Sequence, residues 1–163
     1  MVMEMVKREL PQGKRGVDIA FDGFPRNLKQ AVAFDRLLEG SGKMLDMVLY
    51  FDIPFSLLKQ RLTRRRVCPK CGAVYNLDTA PPKIEARCDR CESSLAKRDD
   101  DAEEVVRKRF KVYQKETAPI EDYYRKRGVL VTIDASGGES AVWENIRDII
   151  TIAKKGVNEK QEH

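Results

Sequence analysis

The chain has a single histidine, His163, at its last position. General acid–base chemistry is therefore left without its commonest side chain, since a lone histidine at the extreme end is not expected to be catalytic. No apolar run approaches the roughly 18 residues of a membrane-spanning helix. The first ten residues carry Glu4, Lys7, Arg8 and Glu9 where a signal peptide would be apolar. The expected location is cytoplasmic, with no membrane partner. Internal repeats and low-complexity tracts are absent. Charge of one sign is not dominant either. Lys and Arg number 31 against 26 acids, a net +5, which suits a small anionic substrate as well as a nucleic acid.

What is present is enough for one domain with one insertion. The length is 163 residues, of which 42% are hydrophobic and 35% charged. The start has helical spacing, with Val2, Met5 or Val6, and Leu10 on one face and no capping residue before it. Gly13 and Gly16 end that helix. Residues 17–22 read as a strand ending at Gly23. Asn27 and Gln30 read as a cap and its box-like companion for a helix from 28 to about 38. Residues 47–51 form a continuous apolar run, typical of a strand covered on both faces. Pro54 opens a helix to about 65. Asp101 and Glu104 are placed to cap a helix from 102 to about 116, interrupted at Pro119 and resumed to 127. A last strand over 129–134 and a helix from 140 to about 151 follow, then a solvated tail, KKGVNEKQEH. The order α-β-α-β-α-insert-α-β-α predicts a parallel sheet flanked by helices, with ligands at the C-terminal ends of the strands, where Asp22, Asp52 and Asp134 fall.

Residues 67–97 differ in kind. They hold all four cysteines and three prolines but few large apolar side chains. Cys68 and Cys71 are separated by two residues, Cys88 and Cys91 likewise, with sixteen residues between the pairs. In a reducing compartment this spacing predicts a closed, structural tetrahedral zinc site. Iron in the same cage and a pair of disulfides are the alternatives, the latter disfavoured by compartment. A nucleic-acid-binding zinc ribbon would account for the arginines at 61, 64, 65 and 66. It leaves the run Asp22-Gly23-Phe24-Pro25-Arg26 and the later arginines unexplained. The expected organisation is a core over 1–66, a metal-stapled flap over 67–97 and the rest of the core over 98–163.

Asp22 at a strand end is placed to hold magnesium, often through water. Gly23 permits close backbone approach, Pro25 stiffens the turn, and Arg26 can grip a phosphate bidentately. Arg61 and Arg65, four apart, should share one helix face with an anion or carboxylate between them. Arg64, Arg66, Arg107 and Lys108 read as surface residues.

Together these pieces resemble a bacterial adenylate kinase with a zinc-bearing lid, and the resemblance begins well inside that family's pattern and runs to the C-terminus. It implies the fold of the nucleoside monophosphate kinases and the reversible reaction of ATP with AMP to give two ADP. Gly23, Phe24, Pro25 and Arg26 would lie along AMP, and Gln30 would read the adenine edge. Arg61, Arg65, Val74, Tyr75 and Gly137 would hold ATP. Arg98 and Arg109 would clamp the transferring group and contact AMP, with Asp22 beside them in catalysis through Mg2+. Zinc on Cys68, Cys71, Cys88 and Cys91 would stiffen the lid. Asn27 departs from the threonine often found there, and Asn76 from a histidine. ATP, AMP and ADP are the expected partners, nucleic acid is not, and a complete chain would be a monomer.

One family element is missing from the sequence. No GxxxxGK[ST] phosphate-binding loop occurs, and Gly13-Lys14 has neither its spacing nor its position after a strand. The expectation is an N-terminally incomplete chain whose sheet lacks the strand between residues 17–22 and 47–52. Poor stability and impaired chemistry in isolation follow, and an inactive fragment that still binds zinc or nucleotide is the alternative reading.

Overall fold

The computed structural model describes residues 2–10 and 18–159, and side chains over 3–10 and 18–153. The glycine break at 13 and 16, the Gly13-Lys14 pair, Val17 and His163 lie outside the described residues. No described helix is long and apolar enough to cross a membrane. The chain divides into two compact units, residues 1–50 with 110–131, and 51–109 with 132–163.

In the first unit, α1 (Val2–Glu9) buries Val6, with Leu10 just past its end, and leaves Met5 exposed. Helix α2 (Leu28–Gly40) starts as the local chemistry dictates. Asn27 Oδ1 accepts the Gln30 N–H at 2.9 Å, and Gln30 Oε1 accepts the Arg26 N–H at 2.7 Å, so two otherwise orphaned donors are satisfied. Its buried face is Ala31, Phe34, Asp35 and Leu38, the i, i+3, i+4, i+7 stripe of an amphipathic helix. Phe34 and Leu38 pack with Val6, Leu10, Phe21 and Phe24, and each fully buried side chain of this size contributes about 1.5–3 kcal/mol. Ala31 packs with Ile120 and Tyr124 of α5 (Pro119–Lys126).

Buried Asp35 ties the same two helices together. Its carboxylate accepts from Tyr123 Oη at 2.8 Å and Tyr124 Oη at 3.3 Å, and Arg127 Nε lies 3.3 Å away. Burial, and then the Asp35 charge, push the Tyr124 hydroxyl well above its ordinary pKa.

Residues 18–22 are not a strand. The apolar pattern is right about burial, since Phe21 meets Phe34 edge-on at 5.1 Å between ring centroids. A strand also needs a ladder, however, and no described strand pairs with this segment. The sheet consists of β1 (Val48–Asp52) and β4 (Leu130–Asp134). The Val48 N–H bonds to Val129 O, and the Ala135 N–H bonds to Asp52 O. These bonds put Val48 beside Leu130 and Asp52 beside Asp134, a parallel pair. Val48 and Leu130 pack against the α2–α5 cluster, which gives the helix-flanked parallel arrangement expected.

In the second unit, α3 (Phe55–Thr63) is shorter than its helical pattern suggests. Arg64 is its C-cap and Arg65 already opens β2 (Arg65–Val67), which pairs antiparallel with β3 (Val74–Asn76). Hairpin formation ends the helix, and that hairpin is absent from the sequence reading. Residues Asp99–Asp101 form a 3-10 turn before α4 (Glu103–Val112). Asp101 is not the helix cap, because it ends the 3-10 turn and α4 starts only at Glu103, after Ala102.

The long helix then widens into a π turn, Tyr113–Thr117, before α5. Pro119 has no N–H for the Lys115 carbonyl, and the Ala118 N–H reaches back five residues to Tyr113 O at 2.9 Å. The last helix, α6 (Glu139–Glu159), runs through part of the segment read as a tail.

Candidate functional site

Of the sequence-predicted acceptor residues, Asp22, Gly23, Phe24, Pro25, Arg26 and Gln30 belong to the first unit, and Arg98 and Arg109 to the second. Asp22 is exposed at a bend instead of a strand end. Gly23 has φ +69°, a conformation that favours glycine, and a Cβ there would lie 3.1 Å from Arg26 Nη2, close enough that the guanidinium would have to shift slightly. Arg26 Nε donates to Gly23 O at 2.7 Å, curling the turn around its own guanidinium. Phe24 anchors the turn by meeting Phe34 edge-on at 5.3 Å, and the Phe24–Pro25 bond is cis.

The Arg26 backbone is fixed on both sides. Gln30 Oε1 takes its N–H, and Thr117 Oγ1, from the π turn, donates to its carbonyl at 2.8 Å. In this state Gln30 Oε1 serves the backbone. Thr117 escaped the sequence reading, since its partner is 91 residues away.

The remaining predicted site residues belong to the second unit. Arg61 gives Nη1 to Ala135 O at 2.6 Å and Nη2 to Ser136 O at 2.8 Å and Gly137 O at 2.7 Å. Three carbonyls, with no carboxylate, hold it over the loop after β4. That loop is also capped by Asp134, whose carboxylate accepts the Ser136 N–H at 2.8 Å and is thereby held below its usual range.

Arg65 does not share a helix face with Arg61. From β2 it makes a bidentate pair with Asp101, at 2.9 Å from Nε and 2.6 Å from Nη2, and the Asp101 side chain is wholly buried. That bond, against the cost of burial, raises the Arg65 pKa further. An anion or carboxylate shared by Arg61 and Arg65 was expected; Asp101 instead serves Arg65 alone.

Arg98 and Arg109 are brought together on one carboxylate. Arg98 Nε and Nη2 each reach Asp100 at 2.9 Å, while Arg109 Nη1 lies 3.3 Å from both the Asp100 backbone oxygen and Oδ2. Two guanidinium charges against one carboxylate leave a positive excess on exposed groups, able to accept a phosphate. Asp100 is a second residue the sequence reading missed, although the acidic run beside Arg98 was its signal. Arg64 and Arg107 have partners of their own, Asp78 at 2.9 Å and Glu103 at 2.8 Å.

The four cysteines converge. Their sulfurs all lie within 4.8 Å of one another, with Cys68–Cys91 at 3.4 Å and Cys71–Cys88 at 3.6 Å. These are not disulfides, and all four thiols are free. A tetrahedral thiolate cage with metal–sulfur bonds of about 2.3 Å has edges of about 3.8 Å, so the cluster fits a cation of that size. Ala73 and Leu95 pack beside it.

The thiols are not equivalent. The Tyr75 hydroxyl and the Arg90 and Cys91 amides outweigh burial and pull Cys88 down to about 6. At Cys71, the Ala73 amide lowers the pKa, but burial and the other thiols push it up to about 12. Tyr75 sits at this cluster with its hydroxyl 3.4 Å from Cys88 Sγ, and Val74 beside it is exposed.

A parallel α/β protein that carries exposed paired arginines and a four-thiol cluster able to hold a metal ion has the features of a phosphate-handling protein. Residues 1–129 match the adenylate kinase family. The adenylate kinase of Thermodesulfovibrio yellowstonii is 42% identical over 150 residues, which cover 92% of this chain and 70% of that relative. Those of Thermotoga neapolitana and Archaeoglobus fulgidus are each 43% identical over the same share of this chain, covering 68% and 69% of their own lengths. The chain belongs to the adenylate kinase family, and its function is that of a nucleoside monophosphate kinase, a nucleotide-binding phosphotransferase.

Proposed function

We propose that the chain takes part in reversible phosphoryl transfer between MgATP and AMP, in the cytoplasm and as a monomer, with the following division of labour. Arg26 grips the AMP phosphate from a turn shaped by Gly23, Phe24 and Pro25, and Gln30 turns its amide to the adenine edge. Asp22 holds Mg2+ through water. Arg98 and Arg109 exchange Asp100 for the transferring phosphoryl group. Arg61, Val74 and Gly137 line the ATP side, where Arg61 holds the loop that carries Gly137. Arg65 acts by fixing the flap hairpin to Asp101, and Tyr75 by supporting the thiol cluster. Zinc on the four cysteines stiffens residues 67–97, which act as a lid that excludes water.

The observation that carries this reading is the convergence of Arg98 and Arg109 on one exposed carboxylate. Phosphoryl transfer asks the protein mainly for position and positive charge, so the lack of a usable histidine is no obstacle. These residues include no GxxxxGK[ST] cradle for the donor phosphates, which makes nucleotide binding the first consequence to examine and turnover the second.

The transfer roles are tested with a coupled assay for ADP formation from ATP and AMP, with metal content measured on the same sample. The reading expects ADP formation that requires both nucleotides and falls about 100-fold or more in Arg98→Ala. A rate indifferent to Arg98→Ala would overturn the role given to this pair.

A further inference from the structure

The thiol cluster engages one hydroxyl that the nucleotide site was expected to use. Tyr75 lies on β3 with its ring half buried among Cys68, Ala73 and Cys88. Its oxygen accepts the Asp89 N–H at 2.8 Å and stands 3.4 Å from Cys88 Sγ. A phenol that already accepts from an amide keeps its own proton to give, and the sulfur is the neighbour placed to take it. Asp89 is held in turn, because its Oδ1 accepts the Lys83 N–H at 2.9 Å. Cys88 also receives backbone donors, the Arg90 N–H at 3.4 Å and the Cys91 amide.

The need for such donors follows from charge. Four thiolates around one divalent cation leave two negative charges unbalanced. Cys71 is exposed and water can serve it, but Cys88 is 1% exposed and depends on protein donors. Tyr75 also comes from a different segment than Cys88, so its bond joins the second cysteine pair to β3, the strand that follows the first pair. Hydrogen-bond partners of metal ligands typically change metal affinity 10–100-fold when removed.

We propose that Tyr75 is a positioning residue of the metal site. Its hydroxyl donates to the Cys88 thiolate, fixes the second cysteine pair against β3 and sets how tightly the ion is held. The proposal rests on the reading of the four cysteines as a zinc site. It removes the Tyr75 hydroxyl from the set that touches nucleotide.

The test compares the full chain with Tyr75→Phe, which keeps the ring and loses only the donor. Zinc affinity is measured by competition with a chromophoric chelator, and Co2+ is titrated in to read the thiolate-to-metal charge-transfer band. Tyr75→Phe should still bind one ion, about tenfold or more weakly, with the cobalt band moved to longer wavelength because the sulfur lone pairs are less stabilised. Replacing Tyr75 by 4-aminophenylalanine, which restores an N–H donor, should recover both the affinity and the band. Unchanged affinity and band in Tyr75→Phe, or failure of the amino variant to recover them, would overturn the proposal. A Cys88→Ser chain that holds zinc as tightly as the parent would instead overturn the metal reading beneath it.

Discussion

Arg65, expected to hold ATP, is bound in a bidentate pair with Asp101. Asp101 is fully buried and both its oxygens are taken by one guanidinium. Removing one member of a buried pair strands the other charge, which costs far more than the pair contributes by itself. Arg65→Ala is therefore expected to lower stability by about 3 kcal/mol in denaturant unfolding, whatever it does to nucleotide binding. A loss under about 1 kcal/mol would mean that water reaches Asp101 and the pair is not closed. Arg98 and Arg109 differ in this respect. Their side chains are about half exposed, at 52% and 53%, so they can leave Asp100 at little cost.

At the scale of elements, the π turn is the feature that links α4 and α5 to the Arg26 turn. It presents the Thr117 hydroxyl to the Arg26 carbonyl. Thr117→Val keeps the volume and removes that bond, so AMP affinity is expected to fall several-fold with the unfolding midpoint nearly unchanged. Thr117→Ser should restore the affinity. Equal affinity in Thr117→Val would show that the Gln30 bond alone is enough to hold Arg26.

The cysteine flap makes the opposite case, an element with almost no core beyond Cys68, Ala73, Cys88 and their few neighbours. With a zinc ion on the four cysteines, as proposed, its order is expected to depend on the metal. Chelation should speed amide exchange across β2, β3 and the two cysteine turns and leave α2 and α5 protected. Exchange that is unaffected by chelator would mean that the hairpin stands without an ion.

These elements also show what a linear reading can reach. The cap of α2 was legible because Asn27 and Gln30 act within one turn. The thiol cluster was legible because metal-ligand spacing is a local constraint. Arg65 was misplaced because the end of α3 depends on pairing with residues 74–76, which the helical pattern does not contain. Asp100, Asp101 and Thr117 were missed as partners because each bond depends on how turns and distant segments fold back. The strand expected at 17–22 needed a neighbour that the described residues do not supply.

For the whole molecule, the family assignment brings the acceptor turn, the arginines and the four-cysteine segment under one chemistry. Its phosphate logic is electrostatic, and its first step is capture of a nucleoside monophosphate. Calorimetric titration of the 163-residue chain with AMP, run beside adenosine and beside Arg26→Ala, tests that step directly. The account predicts saturable binding of one AMP per chain, weakened about tenfold or more both by omitting the phosphate and by Arg26→Ala. AMP that binds no better than adenosine, or equally well to Arg26→Ala, would contradict it.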